Sequence, residues 1–483
     1  MVAVGPVLYI VGMLLSILAV TMCIPAAVDL QAGNPDWQVF IGAAALTLFV
    51  GVLLMLTTRG RDTTTVNLRQ AFLLTLLSWF SIAAAGSFPF IFSKLDMSVA
   101  DAFFESMSGI TTTGSTVIGG LDYAPPGILI WRAILQWLGG IGIIVMALAV
   151  LPMLSVGGMQ LFRTEAFDTP DKVLPRAATL AGGIGAIYLG VTFLCAMALW
   201  LAGMSGFDAV AHAMTTIATG GYSTHDASVG HFNSQLVEWI IIAGMIVGSL
   251  PFVYYLQTVR GDITSLIHDS QVHWFLAIAA AATAAMFVWI YGTHSFELEP
   301  ALRQAAFSVV SIMTGTGYTN ADFGAWGGFP LVLLLVLMFI GGCAGSTTCG
   351  IKVFRVQVLF ATSKVQLARL LHPHGVFIPY YNRKPIPETV TGAVMGFFFF
   401  YIASCGLLAT ALGALGLDFI TALSGAVTAI SNVGPGLGNV IGATGNFDGL
   451  PDTAKWLLSF GMLLGRLELF TVLVILTPAF WRR

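Results

Sequence analysis

Uninterrupted apolar stretches dominate this chain. Runs of about 20 apolar residues cross a hydrocarbon core about 30 Å thick. Such runs lie at 7–27, 38–58, 71–92, 127–154, 178–203, 235–258, 274–292, 328–350, 390–415 and 455–480. They predict an all-α polytopic membrane protein with ten transmembrane helices, and the even count puts both termini on one side. Between four pairs of these stretches lies shorter amphipathic sequence, about a dozen residues each time. That is too short to span, so each segment is expected to dip in and return.

The four short segments are copies of one pattern. They read Asp101-AFFESMSGITTT-Gly114, Asp208-AVAHAMTTIATG-Gly221, Gln304-AAFSVVSIMTGT-Gly317 and Thr421-ALSGAVTAISNV-Gly434. A polar starter is followed by Ala, then by Ser or Thr seven residues on (Ser108, Thr215, Ser311, Thr428). A large apolar residue follows at the ninth position (Ile110, Ile217, Met313, Ile430) and Gly at the thirteenth. Each block predicts a short helix, with Asp101 and Asp208 as N-caps, Thr421 an acceptable cap and Gln304 a poor one. The glycine permits backbone conformations closed to other residues. Non-helical backbone at membrane depth survives only where protein buries it or water lines it. Four helix C-termini carry partial negative charge, and four carbonyl rings beside them would hold a dehydrated cation. The predicted organisation is an N-terminal helix pair (1–60) and four pore repeats (61–160, 161–262, 263–384 and 385–483). It amounts to a fourfold pseudosymmetric, cation-channel-like pore with four re-entrant loops.

Composition agrees with a membrane protein and removes other classes. Of 483 residues, 57% are hydrophobic and only 9% charged, against about 25% charged in soluble domains. Soluble enzymes and nucleic-acid binders are excluded. Fifteen of the 20 basic residues fall on one set of connections: Arg59, Arg61, Arg69, Arg163, Lys172, Arg176, Arg260, Lys352, Arg355, Lys364, Arg369, Arg383, Lys384, Arg482 and Arg483. The positive-inside rule makes that side cytoplasmic. The largest inner connection, 352–388, predicts a short amphipathic helix and a turn. The opposite connections hold acids, among them Asp96, Asp122, Asp226 and Asp448. The five cysteines lie in apolar sequence and read as inert packing residues.

Two places break the rules for an ordinary span. Gly341-Gly342-Cys343-Ala344-Gly345-Ser346-Thr347-Thr348-Cys349-Gly350 holds four glycines in ten residues, at a helix cost of about 1 kcal/mol each. A break in mid-membrane is expected there. Arg466 and Glu468 sit within the last span, and intramembrane charges of this kind face the protein interior. An arginine beside a cation pore, here Arg466, can bind loop carbonyls or act as a repelling positive gate, with Glu468 as its partner or near the boundary. Arg132, near an outer helix end, is expected to snorkel to the surface, with a pore role as the alternative.

The four-block arrangement resembles the Trk/Ktr/HKT superfamily of potassium transporters. SGITTTG (108–114), TIATGGYSTHDAS (216–228), TGTGYT (314–319), NVGPGLG (432–438), LQWLGGIGIIV (135–145), GGMQLFR (157–163) and GGCAGST (341–347) look like its TrkH subtype. The resemblance implies a potassium filter at Gly114, Gly221, Gly317 and Gly434. Thr111, Thr112, Thr113, Thr219, Gly220, Gly315, Thr316, Asn432 and Val433 complete it. It also implies an intramembrane gate loop containing Gly345, Ser346, Thr347, Thr348 and Gly350, with Arg466 beside it. Potassium is then the transported ion, and no cofactor resides in this chain. The implied partners are a second copy of the chain and a TrkA-like cytoplasmic nucleotide-binding subunit. A proton- or sodium-coupled symporter is the alternative. A membrane hydrolase built on Ser346 would need an embedded histidine in reach.

Overall fold

The computed structural model describes residues 4–59, 67–147, 157–158, 161, 173–294 and 296–482. Arg61, Arg163, Lys172 and Arg483, most of GGMQLFR, the end of the 127–154 stretch and the unit boundaries expected at 60 and 160 lie outside them. The chain is mostly helical. Among the described residues seven helices are long and apolar enough to span: Gly5–Gln31, Trp37–Thr58, Leu68–Phe92, Pro126–Val145, Ala181–Leu201, Ser270–Thr293 and Glu388–Ala414. Two bent pairs raise this to nine. Gln235–Ser249 joins Phe252–Val259 at 93°, and Asp452–Arg466 joins Phe470–Leu476 at 113°. The stretch expected over 328–350 is helical only over Gly328–Phe339, 12 residues.

The first two helices pack as a tight hairpin because glycines meet. A Cβ on Gly12 would lie 2.6 Å from Gly51 O, so only small residues permit this approach. The hairpin is tied to the rest by a buried carboxylate. Asp29 Oδ1 accepts from Gly127 N at 2.7 Å, which places negative charge at the N-terminus of Pro126–Val145.

Each repeat block forms a short helix: Val99–Ile110, Gly206–Ile217, Leu298–Met313 and Phe419–Ser431. The caps lie one turn earlier than the sequence reading put them. Ser98 accepts from Asp101 N, Ser205 from Asp208 N, and Asp418 from Thr421 N. Asp101 and Asp208 instead accept from the capping serines, at 2.8 and 2.6 Å, a reciprocal arrangement that stabilises a helix start. The third helix begins after Glu297 without a side-chain cap.

The connection beginning at 352 also differs from expectation. Its helix, Val353–Leu371, has 19 residues and is followed by a two-stranded hairpin pairing Tyr380–Tyr381 with Lys384–Pro385. Lys352 and Arg355, counted above as loop charges, are buried.

Candidate ion pathway and its gate

All four short helices end in the same backbone turn. The amide of the twelfth position donates to the carbonyl of the seventh. Thr113 reaches Ser108 at 2.9 Å, Gly220 reaches Thr215 at 2.8 Å, Thr316 reaches Ser311 at 3.0 Å and Val433 reaches Thr428 at 3.1 Å. Positive φ then recurs at the eleventh and thirteenth positions. The pairs are Thr112 (51°) and Gly114 (89°), Thr219 (50°) and Gly221 (78°), Gly315 (70°) and Gly317 (79°), Asn432 (53°) and Gly434 (110°). Three of the four eleventh residues are not glycine, at a strain of about 1–3 kcal/mol each. The sequence reading named these residues without seeing that they are left-handed.

The turns close into a ring. A Cβ on Gly114 would lie 2.2 Å from Gly220 O, on Gly221 1.8 Å from Thr316 O, on Gly317 2.1 Å from Val433 O, and on Gly434 2.9 Å from Thr113 O. Every thirteenth residue therefore abuts the twelfth carbonyl of the next block, and the fourth block returns to the first. Only glycine fits such a contact at positive φ. The thirteen expected filter residues all lie in these turns or the step before them. Thr111 Oγ1 bonds Thr113 Oγ1 at 2.8 Å, and Thr314 Oγ1 bonds Thr316 Oγ1 at 2.7 Å. The fourth turn departs: Asn432 Nδ2 donates to Thr113 Oγ1 at 2.8 Å and Met462 O at 3.0 Å.

In the first three blocks the residue after the glycine makes a hydrogen bond that fastens the ring. Tyr222 donates to Glu105 O at 2.8 Å. Tyr318 bonds Thr215 Oγ1 at 2.5 Å, and Ser115 Oγ donates to Gly434 O at 2.7 Å. The recurring Gly-Tyr in two blocks was the available signal for the tyrosines. Gln136 Nε2 also donates to Gly220 O, at 2.6 Å.

One ion pair braces the first block and others join neighbouring blocks. Arg132 is buried and does not snorkel: its Nε meets Glu105 Oε1 at 2.8 Å, Nη1 donates to Ser223 O at 2.8 Å, and the guanidinium lies 4.0 Å over the Tyr222 ring. Arg303 meets Glu238 at 2.6 Å, and Lys455 pairs with Asp101. A cavity of about 80 Å³ opens over the glycine ring, lined in part by the four glycines, Arg132, His225 and Asp226. In the nearby connection, the hydrogen bond from His225 holds the Asp122 carboxyl below the usual carboxylate range.

On the side of the helix C-termini, residues 340–352 fold as a compact loop. Ile340 and Ile351 form a β-bridge, and Ser346 Oγ bonds Cys343 O and Thr348 Oγ1, both at 2.7 Å. The loop is docked on the second block: Thr347 Oγ1 bonds Gly248 O at 2.9 Å, Ile217 O at 3.1 Å and Thr219 Oγ1 at 3.0 Å. Gly345 O accepts from Phe252 N at 3.0 Å, and Gly350 takes φ 70°. Arg466 clamps it, donating to Thr347 O at 3.1 Å, Cys349 Sγ at 2.7 Å and Gly139 O at 2.8 Å. Cys349 is thus a ligand of the clamp, not inert packing. Glu468 does not pair with Arg466. Its partner is Arg355, whose Nη2 lies 2.5 Å from Glu468 Oε2 and whose Nε donates to Gly157 O at 2.8 Å. Lys352 Nζ donates to Thr348 O. No imidazole bonds Ser346 among the described residues. His212 is engaged by Asp208 O and Ser223 Oγ at 2.9 and 3.0 Å.

The family model for TrkH, a cation transport protein, matches residues 36–482. The chain belongs to the TrkH family. It is 46% identical over 482 residues to a Trk system potassium uptake protein TrkI from Halomonas elongata, covering 99% of this chain and 97% of that one. The Escherichia coli K12 Trk system potassium uptake protein TrkH is 39% identical, with 98% of each chain covered. The crystal structure of the potassium transporter TrkH from Vibrio parahaemolyticus superposes with a TM-score of 0.92 over all of both chains, at 39% identity. These TrkH-family relatives are transporters, not enzymes.

Proposed function

We propose that this chain carries potassium inward across a bacterial inner membrane, through a filter formed by the four turns. The observation that carries the reading is the closed cyclic contact of Gly114, Gly221, Gly317 and Gly434 with carbonyls of the following turns. Rings of carbonyl oxygen replace an ion's hydration shell. The short helices are then re-entrant, and with the bent and broken helices counted as spans the chain has ten, arranged as a helix pair and four pore repeats. Both termini are cytoplasmic on the basic side. An inside-negative potential drives entry by about 2.3 kcal/mol per charge per 100 mV.

The loop around Gly345, Ser346, Thr347, Thr348 and Gly350 is the gate, closed in this conformation and latched by Arg466. Lys352 and Arg466 both donate to carbonyls of this loop, and Glu468 beside it is held by Arg355. A symporter coupled to protons needs a free carboxylate in the path, and the buried Glu105 and Glu468 are both paired with arginine. A second copy of the chain and a TrkA-like nucleotide-binding subunit on the basic face complete the assembly and set the gate.

Rubidium uptake into proteoliposomes under an imposed inside-negative potential tests this reading, with Gly114→Ser at matched reconstitution. Uptake competed by potassium and not sodium, with that discrimination weakened in the variant, is the expected result. Uptake that requires a proton or sodium gradient would transfer the function to a carrier.

A further inference from the structure

Beyond the ring, the connections following the first and second short helices meet at two stacked imidazoles. His225 and His231 lie face to face, with centroids 3.5 Å apart and planes within 4°. Asp122 reaches both: its Oδ1 is 2.5 Å from His225 Nδ1 and 3.8 Å from His231 Nδ1. One ligand atom from each of the three falls within 4.8 Å of the others. We propose that Asp122, His225 and His231 form a binding site for a divalent transition metal of the zinc class, whose occupation slows ion entry.

The donor set is the first argument. Two imidazole nitrogens and a carboxylate oxygen suit zinc and leave its fourth position to water. Magnesium and calcium prefer oxygen ligands throughout. Zinc–nitrogen bonds of about 2.0–2.1 Å require the two rings to splay slightly from their stack. The His225–Asp122 hydrogen bond is then exchanged for bonds to the metal.

The surroundings favour this exchange. His231 is carried on the short turn Ser228–Phe232, which ends at Asn233 with φ 42°. Phe232 stands edge-on to both imidazoles, at 5.4 and 5.3 Å. Asp208 Oδ1 lies 3.6 Å from His225 Nε2 and accepts from Thr224 Oγ1 at 2.7 Å. A ligating histidine ordinarily donates its other nitrogen to such a carboxylate, which fixes the tautomer. Side-chain exposures of 35% for Asp122 and 45% for His231 leave the site open to solvent.

Location supplies the effect. His225 also lines the cavity over the four glycines. A metal bound there sets positive charge at the rim of a cation path and bridges connections from two blocks. The binding stands by itself, whereas the slowing of entry rests on the transport reading above.

The test uses full-length protein, purified in detergent and stripped with chelator. Calorimetric titration with zinc chloride is expected to find one site per chain, and cobalt(II) in its place to give the intense absorption of tetrahedral coordination. His231→Ala and Asp122→Asn are expected to weaken zinc at least about tenfold, since loss of even a ligand's outer-shell partner ordinarily costs that much, and to abolish the cobalt band. His231 is exposed, so its replacement preserves folding, checked by an unchanged elution volume. Zinc outside proteoliposomes is expected to slow rubidium uptake by wild type and not by His231→Ala, each against its own zinc-free rate. Magnesium is expected to do nothing. Equal zinc binding by wild type and both variants, or no stoichiometric binding, would overturn the site. Stoichiometric binding with unchanged uptake would overturn its effect on entry.

Discussion

At the glycine ring four chain segments adopt one backbone, whereas the helices that follow them break in different ways. The second block bends at Leu250-Pro251, the fourth at Leu467-Glu468-Leu469, and the third opens into residues 340–352. The ring's contacts are made by main-chain carbonyls, the groups proposed to hold the ion, so side chains vary wherever φ and packing are preserved: Thr, Thr, Gly and Asn all stand at the eleventh position. The break region is held by side chains, and among the described residues one clamp, Arg466, holds a loop found in the third block. Repetition therefore marks what must be equivalent around an axis, and its loss marks what must act once.

The largest effect should come from the ring's tightest contact. Gly221→Ala would bring a methyl to within 1.8 Å of Thr316 O at φ 78°. Backbone strain of about 1–3 kcal/mol is joined by that overlap, so we expect rubidium uptake to fall on the order of 100-fold, at about tenfold per 1.36 kcal/mol. Gly434→Ala meets Thr113 O at 2.9 Å and should lose markedly less. Equal losses in the two variants would show that contact distance does not rank the ring positions.

Two buried arginines sharpen the contrast between support and the proposed gate. Arg355 neutralises Glu468, so Arg355→Met leaves a buried carboxylate unpaired, a loss of about 3–5 kcal/mol. Thermal unfolding in detergent should show it as a clear drop in Tm. Arg466 instead holds two carbonyls and a thiol, and its Nε has no partner. Arg466→Met should cost less stability and raise partner-free uptake about tenfold, matching hydrogen bonds from a charged group worth about 1.5–3 kcal/mol. Reduced uptake in Arg466→Met would make that arginine a support like Arg355.

Much of this was readable from the chain because repetition and hydropathy are strong signals. The thirteenth-position glycines, the glycine-rich break and the interior position of Arg466 follow from spacing and from the cost of intramembrane charge. The helix starts differ from the repeat's polar starters because Ser98-Val-Ala-Asp101 and Ser205-Gly-Phe-Asp208 carry the serine-to-acid spacing of a cap, which puts the cap three residues before the starter. Lys352 and Arg355 were counted with the loop because hydropathy does not report where a broken span leaves the membrane. The Arg355–Glu468 and Arg132–Glu105 pairs join residues distant in sequence, which no local pattern records.

The fourth turn is the place where the ring's symmetry is weakest, and it yields the smallest expected change. Asn432 sits at φ 53°, where the left-handed strain of about 1–3 kcal/mol, low in that range for asparagine, would be removed by glycine. Its buried Oδ1 has no partner, so Asn432→Gly also removes an unsatisfied acceptor. Against this stand the two Nδ2 hydrogen bonds, worth about 0.5–1.5 kcal/mol each, one of which ties the fourth turn to Thr113 of the first. These terms nearly cancel, so Tm should move by only a few degrees. The lost tie leaves the Thr113 hydroxyl held by Thr111 alone, and discrimination of rubidium over sodium in competition uptake should weaken roughly threefold, the equivalent of one such bond. Improved discrimination in Asn432→Gly would mean that the asparagine is a compromise imposed by packing against Met462 and not a fastening of the ring.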